Sequence, residues 1–143
     1  MIIDAQALLS DTQGVTSAAG SDSGYDLGAA SNPGVGKPLY VVSVCDVAMT
    51  DSSSDSTLDV IFQTDSDPAF GSATNIQTLF QFPVTSAIGT VRWAVVPNVP
   101  TAERYCRVYY SPNNGNLSTG SFTTFITADV QAYKEYADAV TIG

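Results

Sequence analysis

The 143-residue sequence has no histidine. That absence removes the commonest general base, the usual nucleophile–histidine–acid triads and most zinc ligand sets, so any catalysis has to rest on carboxylates. Glutamate is nearly missing as well, with Glu103 and Glu135 the only two among 14 acidic residues. Glu103 stands beside Arg104, where a surface pair is the ordinary reading. A glycosidase built on aspartates needs two carboxyls at a set separation, and no pair in this sequence is singled out for it. The expectation is a protein that is not an enzyme and carries no cofactor.

Basic residues are equally scarce. Lys37, Arg92, Arg104, Arg107 and Lys134 are the five, against a formal net charge of −9. They form no run able to neutralise successive phosphates, which argues against nucleic-acid or anionic-membrane partners. No stretch of 18 apolar residues occurs, and no basic segment followed by an apolar one opens the chain, so a soluble protein made in the cytoplasm is expected. The two cysteines, Cys45 and Cys106, each sit in a β-branched, aromatic-rich run. Buried free thiols are expected there, ahead of a disulfide and well ahead of a metal or catalytic role.

What is present points to strands. Charged residues make up 13% of the chain and hydrophobic ones 44%, and Asp far outnumbers Glu. Asp favours turns and caps where Glu favours helix interiors. Residues 39–49 alternate, with Tyr40, Val42, Val44 and Asp46 on one face and Val41, Ser43, Cys45 and Val47 on the other, both largely apolar. This predicts a central strand. The turn TDSSSDS (50–56) and a second alternating run (57–64) predict an antiparallel hairpin with it. Further strands are expected near 25–28, 75–82, 89–96, 104–111 and 122–133. The sum is an all-β, antiparallel two-sheet sandwich, jelly-roll-like, or a closed barrel as the alternative. Residues 1–13 show Ile3, Ala7 and Leu8 at helical spacing before Ser10 and Asp11 interrupt, and residues 14–24 are small and polar. We therefore expect an extended or short helical N-terminal arm over 1–24 and a sandwich domain over 25–143, with the arm removable without unfolding the domain.

Three clusters invite a chemical reading. Asp51 with Asp55, and Asp65 with Asp67, offer carboxylates to a hard cation, but neither segment has the EF-hand loop's central glycine and terminal glutamate. Solvated turn residues are expected, and no metal site. Alternation places Tyr105, Arg107 and Tyr109 on one strand face and Cys106, Val108 and Tyr110 on the other, which is more apolar and expected inward. An outward Tyr-Arg-Tyr stripe suits a protein interface. With Trp93, the two tyrosines also suit a sugar-stacking platform. The candidate interface residues are thus Ile2, Ile3, Leu8 and Leu9 in the arm and Tyr105, Arg107 and Tyr109 in the body.

Asp4-Ala5-Gln6 with LLSDTQ (8–13), the segment Tyr25-Asp26-Leu27-Gly28, and DSDPAFG (65–71) after a strand resemble the capsid cement, or decoration, proteins of short-tailed bacteriophages of the Bordetella-phage type. The likeness spans most of the chain. It implies a jelly-roll-like sandwich that sits as a homo-oligomer, dimer or trimer, on the exterior of an icosahedral head. There it bridges copies of the major capsid protein, having been made in the host bacterial cytoplasm. Such a protein stabilises the shell by mass action, binding the assembled form better than the disassembled one. The alternative expectation is a carbohydrate- or receptor-binding β-sandwich module of a virion, as in a tail fibre.

Overall fold

The computed structural model describes residues 7–29, 38–98 and 103–128. Nine strands account for their regular structure: β1 (Leu8–Gly14), β2 (Ala19–Gly20), β3 (Tyr25–Asp26), β4 (Tyr40–Thr50), β5 (Thr57–Asp65), β6 (Thr74–Phe82), β7 (Val91–Val95), β8 (Tyr105–Asn113) and β9 (Thr119–Thr127). There is no helix among the described residues, hence none long and apolar enough to cross a membrane.

All pairings are antiparallel. A front sheet runs in the order β1-β9-β4-β7, and a back sheet runs β2-β8-β5-β6 with β3 also on β8. β2 and β3 lie along the same edge of β8 and act as one interrupted strand. Counted so, the described residues form eight strands in the orders 1-8-3-6 and 2-7-4-5, which is the jelly-roll winding. The all-β, two-sheet sandwich expected from the alternation is the observed fold.

The sheets meet through the inward positions of each strand. Leu9, Val41, Cys45, Met49 and Phe122 from the front sheet pack on Leu58, Val60, Phe62, Phe82, Cys106, Val108 and Tyr110 from the back sheet. Phe122 sits centrally, its ring 4.9 Å from that of Phe82 and 5.9 Å from that of Tyr110. Each such fully buried side chain contributes about 1.5–3 kcal/mol of transfer free energy. A chain of hydroxyls threads this apolar layer. Tyr110 Oη donates to Ser10 Oγ at 2.8 Å and pairs with Thr124 Oγ1 at 2.7 Å, and Thr124 in turn pairs with Ser43 Oγ at 2.8 Å. Ser10 Oγ passes the chain on to Gln13 Oε1 at 2.7 Å. The phenol thereby ties the back sheet to three strands of the front one.

Three expectations are corrected. The segment 50–56 does not close a hairpin, because β4 and β5 lie in opposite sheets and the turn crosses from one to the other. The hairpin partner of β5 is β6, across the DSDPAFG connector, and its other neighbour is β8. The arm expected over 1–24 belongs, from residue 7 onward, to the sandwich. β1 pairs with β9, Leu9 and Val15 are core residues, and the amides of Ser21 and Ser23 bond to the carbonyls of Val108 and Leu9. Register shifts around Ser10 and Gln13 break the simple alternation there, so the sequence pattern does not read as a strand. Residues 1–6 lie outside the described residues. The last strand spans 119–127 where 122–133 was expected; positions 129–133 are also outside the described residues.

Candidate functional site

The Tyr-Arg-Tyr stripe faces outward on β8 and its neighbours Cys106, Val108 and Tyr110 are buried, as alternation requires. The stripe is not, however, an open surface. The Arg107 guanidinium stacks 4.4 Å from the Phe70 ring centroid and 5.8 Å from that of Tyr109, and its Nε donates to Gln63 Oε1 at 2.8 Å. Burial lowers the pKa of Arg107 from its ordinary value, and a guanidinium keeps its charge in a protein. Gly20 and Gly24 are shaped by the same contact. A Cβ on Gly20 would lie 2.4 Å from Arg107 Nη1, and one on Gly24 would lie 2.6 Å from Phe70 Cε2.

This is the structural meaning of the DSDPAFG connector. Asp65 Oδ1 accepts the Asp67 amide at 3.0 Å and Oδ2 the Ser72 amide at 2.8 Å, while Asp67 Oδ1 accepts the Ala69 amide at 2.9 Å. The Asp67 amide bond, against a smaller opposing effect of burial, holds the Asp65 carboxyl below the ordinary range. The loop so formed turns Phe70, at φ 55°, back over β8 between Gly24 and Arg107. Sequence reasoning missed Phe70 and Gln63 because they meet Arg107 only across strands and a connector. Next to this clamp, Arg104 forms a two-pronged pair with Asp26, at 2.9 and 3.0 Å. In the other Asp-rich turn, Asp51 Oδ2 accepts the amides of Ser53 and Asp55 at 3.2 and 3.3 Å. The carboxylates of Asp51, Asp65 and Asp67 thus serve to shape their turns.

The arm candidates separate. Leu9 is wholly buried in the core and is unavailable to a partner. Leu8 points the other way, packing with Tyr40 and Val91 on Val42 and Phe125 at the outer face of the front sheet. Ile2 and Ile3 lie outside the described residues. The sugar platform is not assembled: Trp93 is on β7 of the front sheet, edge-on to Tyr40 at 5.8 Å, while Tyr105 and Tyr109 belong to the back sheet. Both cysteines are buried free thiols, as expected. Burial pushes the thiol of Cys106 up to about 12 and raises that of Cys45, so neither is a nucleophile at neutral pH.

A different surface emerges instead. Among the described residues the exposed large apolar side chains are Val47 (42%), Val84 (40%), Ile88 (71%), Trp93 (38%) and Val95 (51%). All five lie on β4, β7 or the connector between β6 and β7, at one edge of the front sheet. Scattered single exposures are normal, but their gathering on one border is the mark of a contact surface. Of these five, only Trp93 stood out in the sequence, because the edge is put together from positions as far apart as 47 and 95.

No curated protein matches the chain. A family model does, over residues 9–126, which is the sandwich from β1 to β9 almost entire. Named for a Bordetella phage protein, that family places the sequence among bacteriophage-related proteins, and the chain belongs to it: it is a member of the Bbp16 family.

Proposed function

We propose that this chain is a non-enzymatic capsid cement protein, which binds the exterior of an icosahedral phage head as a homo-oligomer and bridges major capsid subunits. The observation that carries the reading is the apolar edge of the front sheet, displayed on a braced jelly roll in a phage-related chain. A rigid scaffold with exposed apolar side chains loses little conformational entropy on docking. Many symmetry-related copies on one particle make modest single contacts sum to a large effect on the shell. The net charge of −9 limits adhesion to DNA and keeps the free protein dispersed before assembly.

The experiment is co-sedimentation of the purified chain with expanded heads of its parent phage that lack it. Saturable binding at a fixed ratio to the major capsid protein, with heads that then withstand higher temperature, is the expected result. Absence of binding to every form of the head refutes the reading.

A further inference from the structure

The connector between β6 and β7, residues 83–90, is held to β4 by backbone bonds. The amides of Cys45 and Met49 donate to the carbonyls of Thr90 and Ser86, and the Gly89 amide donates to the Cys45 carbonyl, each at 2.8–2.9 Å. The connector therefore runs back along the second half of β4, and Val47 lies between its two anchor points. Within it, Ala87 to Thr90 form a β-turn closed by the Thr90 amide on the Ala87 carbonyl at 3.1 Å and reinforced by Thr90 Oγ1 on the same oxygen at 2.8 Å. Gly89, at φ 88°, takes the third position, where a left-handed backbone is needed. Ser86, itself buried, ties the loop's start by donating to the Pro83 carbonyl at 2.7 Å.

The second position of that turn is Ile88, 71% exposed. Turn corners are ordinarily Gly, Pro, Asn, Asp or Ser. A branched hydrocarbon at the tip of a rigidly bonded turn, with Val84 and Val47 half-exposed beside it, has no role in this chain's own core.

We propose that residues 83–90 form a preformed docking loop whose Ile88 inserts into an apolar recess of the shell protein, flanked by Val47 and Val84. This rests on the cement reading and names the contact that performs it. The loop carries no charge, and Asp46 borders Val47 in a chain of net charge −9. The recess therefore fits this loop best with basic side chains at its rim.

The test uses the full chain and heads lacking it, with wild type, Ile88→Asp, Gly89→Ala and Gln77→Asp compared. Gln77 is exposed on β6 of the back sheet, so its variant adds the same charge elsewhere. Expected are wild-type affinity for Gln77→Asp, a loss of at least about tenfold for Ile88→Asp at unchanged melting temperature, and a smaller loss for Gly89→Ala, whose added methyl meets no atom but strains the turn. Wild-type affinity in Ile88→Asp overturns the docking loop and leaves the cement reading standing. An equal loss in Gln77→Asp also overturns it, by assigning the effect to charge alone. Failure of the wild type to bind heads refutes both.

Discussion

Replacing Tyr110 by Phe removes one oxygen atom from the middle of the sandwich and isolates the buried hydroxyl chain. The phenol donates to Ser10 and pairs with Thr124. With its single proton given to Ser10, it receives that of Thr124, while Ser43 supplies Thr124 and Ser10 supplies Gln13. Two bonds worth about 1 kcal/mol each are lost, and the buried Thr124 hydroxyl must turn elsewhere. The expected destabilisation is about 2–3 kcal/mol, read from urea unfolding as a lowered midpoint with unchanged slope. The alkaline limb adds a second, independent reading. Burial, opposed by the bonds to Ser10 and Thr124, pushes the phenol from 10.0 up to about 12. The folded chain therefore holds a proton that the unfolded chain releases above pH about 10. Stability from this group is complete below that pH and is lost as pH rises toward 12, by roughly 2–3 kcal/mol. Phe has no such dependence. The gap between wild type and variant should accordingly close between pH 10 and 12, while the loss due to Cys106 is common to both. A variant within 0.5 kcal/mol of wild type at pH 7, or a gap that stays constant to pH 11, refutes the reasoning.

Three other outcomes follow from the same structure. Arg107→Ala and Phe70→Ala, measured singly and together, should show a coupling of about 0.5–2 kcal/mol in chemical denaturation, and additive effects would deny that the guanidinium and ring act as one clamp. Leu9→Ala should cost about 2–5 kcal/mol, and removal of residues 1–24 should abolish cooperative unfolding, since it takes away β1, β2, Leu9 and Val15; a truncated chain that still melts sharply would show those strands to be dispensable. Cys45 and Cys106 should resist a thiol reagent at pH 8 and both react in denaturant, whereas rapid labelling of the native protein would contradict their burial.

The legible part of this protein lay in the period of two. Alternation in residues 104–111 placed Cys106, Val108 and Tyr110 inward, because the side of a strand that is apolar is a local property, whereas residues 39–49, apolar on both faces, read only as a central strand. The same holds for the Asp-rich turns, whose carboxylates bond amides two to seven residues away. Leu8–Gly14 escaped notice because its register shifts destroy the alternation on which such reading depends. Which strands become neighbours is not local. β4 and β5 look like a hairpin in sequence, and only the winding of the whole chain sends them to opposite sheets, since each must present its apolar face to the other across the core.

The surfaces divide in the same way. The outward direction of Tyr105, Arg107 and Tyr109 was fixed by their spacing, but their availability was not, because Phe70 and Gln63 reach Arg107 from a different strand and connector. Conversely, Val47, Val84, Ile88 and Val95 look unremarkable along the chain and form an apolar border with Trp93 only where β4, β7 and the connector between β6 and β7 come together. Strand character, turn chemistry and the direction of each side chain were determined by the sequence alone, through interactions spanning a few residues. Strand partners, the Arg107 clamp and the contact edge were decided by tertiary structure, because each depends on groups tens of residues apart that only the jelly-roll winding makes adjacent.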